Sequence, residues 1–487
     1  MIYPNVKYTL IGGALLLTNG IGLKAVSSSN SQQDSSSDSQ PNVLFIVVDD
    51  LRPELGCYGK THILSPNIDN LASNGVLFDR AYCNIPVCGA SRASLMTGIY
   101  PNRSRFVSYT ARADKDAVEV ITLPRHFKNN GYDTFSFGKV FHDPDDDLQG
   151  WTESWRGTHP NDIHKQEFSA RDYQSIEHQW RNQAFKSGPA WEKADVANNV
   201  YLDGKTAEKT IAKLHELSKY KKPFFLAMGM IKPHLPFNAP SKFWELYSRR
   251  EIKLAPNSFF PQNAPFEAVR YNYDELRAYI NIPGGREPID NDTALWLKHG
   301  YFACITYIDE LIGDVLETLK ETGLDKNTII VLWGDHGYSL GEHTHWCKHT
   351  CFHNSLQVPL IIKAPGIKPA KTNALVSFVD VYPTLCELAG LPRPLHLQGN
   401  SLTEILENPE KKTGMVFCRF PNGETVVTQK YVYTEYYNNM GDKLQSRMLY
   451  DLELDPLENI NVVDDLAYSS IVEELSTKLK EHIKSIN

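Results

Sequence analysis

Runs of consecutive apolar residues, each bounded by polar or glycine-rich stretches, divide the chain into predicted strands. The run at residues 42–48 is rich in β-branched side chains and shows no polar alternation, and the runs at 223–228 and 328–332 are similarly apolar. Such runs are typical of central parallel strands that are buried on both faces. Further strands are predicted at residues 76–81, 134–137, 358–362 and 374–378. The pattern therefore predicts a large, mostly parallel sheet.

Periodic apolar positions between these runs predict helices that cover the sheet. The predicted helices span residues 66–74, 91–97, 123–129, 204–219, 293–319 and 381–389. In the longest of them, Ile305, Ile308 and Ile312 lie on one apolar stripe. Strands that alternate with helices indicate an α/β fold in which helices sandwich the sheet.

The last part of the chain follows a different pattern. Short strands are predicted at residues 415–419, 425–434 and 448–452, and a final helix is predicted at 467–486. We interpret residues 411–487 as a smaller C-terminal subdomain, in which the helix packs on an antiparallel sheet. Residues 41–410 then form the main, catalytic domain.

The first 40 residues differ from both domains. Lys7 is followed by an apolar, glycine-rich run that is short for a membrane span, and Ala25 is a suitable cleavage residue. Residues 1–25 are therefore predicted to be a secretory signal peptide. Residues 26–40 are rich in Ser, Gln and Asp, which is typical of a disordered linker. We expect a periplasmic or secreted protein with no integral membrane segment after removal of the signal.

Charge and cysteine content argue against nucleic-acid binding, a disulfide scaffold and a zinc site. The net charge of -8 gives no basic footprint for nucleic acid, so any polyanionic partner must meet a local basic pocket. Eight cysteines in 487 residues do not form a disulfide scaffold, and no CxxC pair indicates a zinc site. Cys347 and Cys351 are close in sequence and either pair in an oxidising compartment or remain free thiols.

Acidic residues follow two of the predicted central strands. Asp49 and Asp50 come directly after residues 42–48, and Asp335 and His336 follow the strand at 328–332. Ligands in open α/β sheets bind at the carboxyl ends of strands, and paired aspartates form hard-oxygen metal sites. The alternative is a pair of solvated turns, in which Asp is common. Two such strand ends favour a metal bound by the three aspartates, with His336 either completing the shell or contacting the nucleophile.

The segment 88–98, CGASRASLMTG, joins a reactive side chain to a cation one helical turn away. Cys88 is predicted at or just before a helix N-terminus, where free amide groups and the helix dipole favour negative charge. Arg92 can donate two hydrogen bonds to an oxyanion. A nucleophile in such surroundings suits ester chemistry at sulfur or phosphorus. The alternative is a buried cysteine beside a solvated arginine.

Basic residues follow two further predicted strands. Lys139 and His142 come after the strand at 134–137, and Lys232 and His234 come after the strand at 223–228. The spacing lets Lys139 and His142 reach one pocket, and a histidine can exchange protons near neutral pH. The alternative is a set of exposed polar residues, or for His234 a structural histidine between prolines. Four tryptophans in the segment 143–199 either stack on sugar rings or pack within a surface loop.

The motif Cys88-Gly-Ala-Ser-Arg92, with Thr97-Gly98, resembles the signature of the type I sulfatases, although Ala90 and Met96 replace the commoner Pro and Leu. Further runs resemble that family, and above all its iduronate-2-sulfatase branch: LRPELGCYG, SPNIDNLASNGVLF, GKVFH, KPHLPF, LGEH and DLELDPLENIN. The resemblance extends over residues 41–461. It implies an alkaline-phosphatase-like fold.

The resemblance also implies the chemistry. Cys88 would be converted to formylglycine by a formylglycine-generating or anaerobic sulfatase-maturating enzyme, and its hydrated gem-diol would be the nucleophile and a metal ligand. The metal would be Ca²⁺, with Mg²⁺ as the alternative. His234 would protonate the leaving alcohol and Lys348 would reach the sulfate and ester oxygens. Lys139 would contact the sulfate and His142 the gem-diol.

The expected substrate is a sulfated glycan. The resemblance favours a 2-O-sulfated uronic acid of heparan or dermatan sulfate or of oligosaccharides derived from them, and another sulfated polysaccharide, such as a marine algal one, is the main alternative. The residues expected to line the substrate pocket are Lys232, Tyr338, His345 and Trp346. A phosphodiesterase or phosphomutase of the same fold would use Ser or Thr and two metals. A non-catalytic glycan-binding protein would lack Cys88, Arg92 or the acids, and the chain has them all.

Overall fold

The computed structural model describes residues 40–156, 188–269, 274–285 and 287–486. The predicted signal peptide and residues 26–39 of the predicted linker lie outside this part of the chain. Residues Gln40–Asn487 form one compact unit, so the boundary near residue 411 stays a prediction. Within the described residues, no helix is both long and apolar enough to cross a bilayer.

The observed elements agree with most of the predicted ones. The strands are β1 (Asn42–Val48), β2 (Val76–Tyr82), β3 (Asp133–Gly138), β4 (Glu153–Trp155), β5 (Trp191–Ala194), β6 (Phe224–Met230), β7 (Phe237–Pro240), β8 (Thr328–Gly334), β9 (Ser339–Leu340), β10 (Trp346–Cys347), β11 (Gln357–Lys363), β12 (Ala370–Ser377), β13 (Val416–Phe420), β14 (Gly423–Val427), β15 (Tyr431–Tyr437) and β16 (Leu444–Asp451). The α-helices are α1 (Pro66–Ser73), α2 (Cys88–Thr97), α3 (Ala113–Asp116), α4 (Leu123–Asn129), α5 (Leu202–Leu217), α6 (Ser241–Trp244), α7 (Asp274–Arg277), α8 (Asn291–Glu321), α9 (His353–Leu356), α10 (Val381–Leu388), α11 (Thr403–Glu407) and α12 (Ser469–Ile486).

The main sheet has eight strands in the order β12-β2-β11-β8-β1-β6-β3-β4. Strands β8, β1, β6, β3 and β4 are mutually parallel, and β2 runs parallel to β12. Strand β11 is antiparallel to both of its neighbours, β2 and β8. The prediction of a mixed, mostly parallel sheet is therefore confirmed.

Apolar cores on both faces hold this sheet in place. Along β1, Val43 and Phe45 pack into one core, whereas Leu44 and Ile46 pack into the other. All four side chains are fully buried. Each buried side chain of this size contributes roughly 1.5–3 kcal/mol. The unbroken apolar run is thus explained by the need to fill both sides of a central strand.

The C-terminal region contains a four-stranded antiparallel sheet in the order β13-β14-β15-β16. Helix α12 packs on it through Val472, Leu475 and Leu479, as predicted. The prediction of one strand at residues 425–434 is wrong. Thr428 Oγ1 accepts hydrogen bonds from the amides of Lys430 and Tyr431, at 3.2 and 2.8 Å, and this turn separates β14 from β15.

The described tryptophans of the segment 143–199, for which sugar stacking and packing within a loop are the two alternatives, pack against other parts of the fold. Trp151 is buried near Phe225, with ring centroids 6.3 Å apart, and Trp191 stacks on Trp296 at 5.7 Å. Trp155 packs partly buried against the core, and Trp180 lies outside the described residues. The described tryptophans of this segment therefore stabilise the structure.

Candidate active site

Four neighbouring parallel strands, β8, β1, β6 and β3, end at one edge of the main sheet. The polar residues that follow them in sequence meet at this edge. Asp49 and Asp50 follow β1, Asp335 and His336 follow β8, and Lys139 follows β3. Strand order thus brings together groups that are up to 298 residues apart in sequence, such as Asp50 and Lys348.

Asp335 connects the ends of β1 and β8. Its Oδ1 accepts hydrogen bonds from the amides of Asp50 and His336, each at 3.0 Å. Asp50 has a φ of 59°, a left-handed conformation that a non-glycine residue adopts only when its surroundings hold it. The hydroxyl of Tyr301 donates to the Asp50 carbonyl at 2.7 Å and gives further support.

Cys88 is the first residue of α2, as the sequence predicts. Its Sγ lies 3.4 Å from Nε2 of His336. A β-carbon on Gly89 would lie 2.0 Å from the carbonyl oxygen of Tyr109, so only glycine fits beside Cys88. Ser91 Oγ donates to the carbonyl of Asp335 at 2.5 Å. The helix start is therefore fixed directly against the end of β8.

Arg92 is fully buried and makes contacts that differ from the expected fork onto a substrate oxyanion. Its Nε donates to Asp335 Oδ2 at 2.9 Å, and its Nη2 lies 3.3 Å from Asp49 Oδ1. Its Nη1 donates to the carbonyls of Lys139 and Val140. The guanidinium thus ties the ends of β8, β1 and β3 to α2 and contacts both carboxylates.

Four residues bring potential metal ligands together: Asp49, Asp50, Cys88 and His336 have ligand atoms within 4.8 Å of one another. Oδ1 of Asp49 is buried without a hydrogen-bond partner. A buried carboxylate oxygen of this kind suits a hard divalent cation. The Cys88 thiol stands for the gem-diol oxygen expected after conversion, which makes the donor set richer in oxygen. Asp335 is outside this group of four and stays a predicted ligand.

Buried lysines balance the carboxylates. Burial alone would raise the pKa of Asp49, but the positive charges of Lys139 and Arg92 hold it well below its usual range. Lys139 Nζ donates to Asp49 Oδ2. Although burial disfavours a charged amine, Asp50 raises the pKa of Lys348 well above its usual range. Lys348 Nζ lies 2.9 Å from Asp50 Oδ1. Cationic groups therefore flank both aspartates.

His234 and Glu275 complete this side of the site. His234 Nε2 lies 3.0 Å from Glu275 Oε1, which also lies 2.8 Å from Lys348 Nζ. Asp203 accepts hydrogen bonds from the amides of Ile231 and Lys232, at 2.8 and 2.9 Å, and so fixes the loop that carries His234. Sequence reasoning missed Glu275, because residues 254–290 are predicted as loop and carry no periodic or motif signal.

His142 lies near the site, but its ring faces Tyr109 at a centroid distance of 6.0 Å. Burial, followed by the charge of Lys139, holds its pKa well below the usual value, so its ring is neutral. Among the described contacts, none joins His142 to Cys88. Its expected contact with the gem-diol stays a prediction.

The residues expected to contact sugar are buried in the protein. Lys232 Nζ donates to the carbonyls of His234 and Pro236 at 3.2 and 2.6 Å. His345 Nε2 donates to the Lys348 carbonyl at 2.7 Å. Trp346 is buried in an apolar core. That these side chains line the sugar pocket stays a prediction.

Tyr338, the fourth residue predicted to line the pocket, also has partners inside the protein. Its hydroxyl donates to Cys347 Sγ at 3.3 Å, and its ring stacks on Tyr301 with centroids 5.4 Å apart.

Cys347 and Cys351 have different partners: Cys347 contacts Tyr338, whereas Cys351 Sγ faces the Phe420 carbonyl at 3.4 Å. Both cysteines are free thiols, so the alternative of a disulfide between Cys347 and Cys351 is wrong.

A buried cysteine at a helix start, beside paired carboxylates and buried cations, defines a site for ester hydrolysis. The family model described as Sulfatase matches residues 41–391, and that described as N-sulphoglucosamine sulphohydrolase, C-terminal, matches residues 341–485. The chain therefore belongs to the sulfatase family and is an enzyme that hydrolyses sulfate esters.

The chain is also similar to individual proteins over most of its length. The chain is 31% identical to iduronate 2-sulfatase of Mus musculus, over 97% of this chain and 98% of that protein. It is 34% identical to iduronate 2-sulfatase of Homo sapiens, over 78% of this chain and 75% of that protein. A solved structure in complex with its substrate D-glucosamine-2-N,6-O-disulfate aligns with a TM-score of 0.72 and 22% identity, over 92% of this chain and 98% of that one. The predicted alkaline-phosphatase-like sulfatase fold is thus confirmed.

Proposed function

We propose that this enzyme removes the 2-O-sulfate group from a uronic acid of heparan or dermatan sulfate, or of oligosaccharides derived from them. In this proposal, Cys88 is converted to formylglycine and a divalent metal, Ca²⁺ or alternatively Mg²⁺, completes the site. The observation that carries the formylglycine mechanism is the placement of Cys88 at the start of α2, with its Sγ 3.4 Å from His336 and within the four-residue group of potential ligands.

The metal would be held by Asp49, Asp50, Asp335 and the converted residue 88, with His336 either completing the shell or contacting the nucleophile, and when bound it would supply positive charge to the sulfate oxygens. His336 Nδ1 is 2.9 Å from the carbonyl of Gly337, so Nδ1 donates and Nε2 faces residue 88. In the second of these roles, with its Nε2 not bound to the metal, a neutral His336 can accept a proton from the nucleophile. Lys139 and Lys348 place positive charge on the two sides of the sulfate position.

The leaving alcohol needs a proton, and His234 is the group placed to give it. Its Nδ1 donates to the Leu235 carbonyl at 2.6 Å, so its Nε2 faces the site. A protonated Nε2 beside Lys348 would offset the negative charge that develops on the leaving oxygen. This arrangement supports the proposed role of His234 as the general acid.

The choice of a uronic acid rests on the relatives that are named iduronate 2-sulfatase and cover most of the chain. We further propose that residues 1–25 direct export to the periplasm or beyond, and that a formylglycine-generating or anaerobic sulfatase-maturating enzyme modifies Cys88. A different sulfated polysaccharide, such as a marine algal one, is the alternative substrate.

A panel of sulfated disaccharides tests the substrate assignment. The calcium-loaded enzyme is incubated with disaccharides that carry one sulfate, on uronate O2, glucosamine O6 or galactosamine O4. We expect sulfate release from the uronate O2 ester at a kcat/KM at least about tenfold above the others. Faster release from an amino-sugar ester would contradict the uronate assignment and leave the sulfatase class intact.

A further inference from the structure

Glu275 lies across the two basic groups on the leaving-group side of the site. It is carried by the short helix α7, and its Oε1 is 2.8 Å from Lys348 Nζ and 3.0 Å from His234 Nε2. Its side chain is 21% exposed, against 3% for Lys348 and 5% for His234. The glutamate therefore covers both basic groups on their more open side.

The contact with Glu275 limits the hydrogen bonds that His234 can make to a substrate. A carbonyl oxygen only accepts, so the 2.6 Å contact with Leu235 commits Nδ1–H to the backbone. Nε2 is then the one ring nitrogen left to serve a leaving oxygen, and Glu275 already engages it. One N–H cannot serve the glutamate and a substrate in good geometry at once. His234 must therefore leave Glu275 before it can protonate an alcohol.

Glu275 is also incompletely satisfied in this position. Two donors converge on Oε1, whereas Oε2 is buried without a hydrogen-bond partner. A buried carboxylate oxygen without a partner costs free energy, so a finished structural ion pair normally satisfies both oxygens. The position of Oε1 is the place where an oxygen of an anionic ester would contact the same two donors.

We propose that Glu275 occupies the position of the leaving oxygen in the free enzyme, and that a sulfate ester displaces its carboxylate on binding. This inference rests on the proposed roles of His234 and Lys348. Glu275 then acts as an internal anion that competes with substrate. Its removal should strengthen anion binding, because a negative charge beside the bound sulfate disappears and Lys348 loses a competing partner.

Binding of inorganic sulfate tests this without turnover. Calorimetric titrations compare the wild type with Glu275→Gln and Glu275→Ala, all saturated with calcium. Glu287→Gln is the matched control, since it removes the same charge at an exposed position further along the segment. We expect both Glu275 variants to bind sulfate about tenfold tighter than the wild type, and the control to match the wild type. Circular dichroism and thermal melts verify that each variant is folded.

Unchanged or weaker sulfate binding in folded Glu275→Ala would overturn the inference, as would an equal gain in Glu287→Gln. Neither result would affect the sulfatase assignment, which depends on turnover by the wild type. A wild type that releases no sulfate from any ester in the panel would instead overturn the proposed substrate and mechanism. The two failures are thus measured separately.

Discussion

Single carboxylates hold several parts of this site at once, and Asp335 shows this most directly. It accepts from the amides of Asp50 and His336 and pairs with Arg92. Burial, with Asp49 as the next cause, raises its pKa, so the contact with Arg92 offsets only part of the cost of its charge, and a bound cation would offset more. Asp335 therefore contributes to the charge of the site and also fixes the positions of the groups around it.

Asp335→Asn is expected to weaken calcium binding and sulfatase activity together. The amide oxygen can still accept from the two backbone amides, but the charge that faces Arg92 and a hard cation is lost. We expect calcium affinity to fall at least about tenfold, with the fold retained. Calcium titration and activity assays measure both effects, with Asp195→Asn, at an exposed position, as the control. Full activity of the Asp335 variant in excess EDTA would show that the metal assignment is wrong.

His234→Ala is expected to discriminate between leaving groups. General acid catalysis contributes ~10²–10⁴-fold, so we expect about that loss of kcat/KM on a sugar sulfate. The loss should be far smaller on nitrophenyl sulfate, whose leaving group needs no proton. Lys348→Ala should impair both substrates, because its amine also holds the sulfate. Equal losses on both substrates for His234→Ala would assign His234 to sulfate binding alone.

At the scale of elements, the start of α2 decides where Cys88 lies. Helix α2 is buried along its whole length, and Gly89 permits the close approach of the Tyr109 carbonyl. The αL residue Gly98, with a φ of 68°, ends the helix. The glycine and the C-cap thus fix both ends of the element that carries the nucleophile.

Gly89→Ala is expected to destabilise the protein and displace Cys88. The added carbon would lie 2.0 Å from the Tyr109 carbonyl oxygen, so the backbone must shift, at a cost of roughly 1–3 kcal/mol. Gly414→Ala is the control, because a β-carbon there meets nothing within 4 Å. Denaturant unfolding and sulfate release measure the two consequences. A Gly89 variant as stable and active as the control would mean that the loop around Tyr109 yields without cost.

Sequence patterns predict elements better than they predict contacts. The helix at 123–129 is observed at those bounds, and β8 extends the run at 328–332 by two residues. Apolar runs and helix caps are formed by residues close together in sequence, so they can be recognised in a single sequence. Glu275 reaches Lys348 and His234 only through tertiary structure, and no local pattern marks it. The position of Lys232 after a strand likewise predicts that it lies near the site. The contacts of its amine with backbone carbonyls depend on the conformation of the loop, which the sequence pattern does not show.

At the scale of the whole molecule, the sheet concentrates positive charge where an acidic protein needs it. The net charge of -8 would repel a polyanionic glycan at long range. Strand order collects Lys139, Arg92 and Lys348 at one edge, where they meet the carboxylates that would hold a cation. Two apolar cores pack on the faces of the sheet that carries this edge. The fold thus brings buried cations and carboxylates together at one edge, where a bound divalent metal would add positive charge for an anionic substrate.

The proposed mechanism requires Cys88 as the precursor of the nucleophile. The most direct test is the mass of the peptide that contains Cys88, measured on enzyme that releases sulfate. We predict a peptide in which an aldehyde oxygen replaces the thiol sulfur, with the converted fraction rising in proportion to specific activity across preparations. Fully active enzyme in which Cys88 is an unmodified thiol throughout would contradict the formylglycine mechanism.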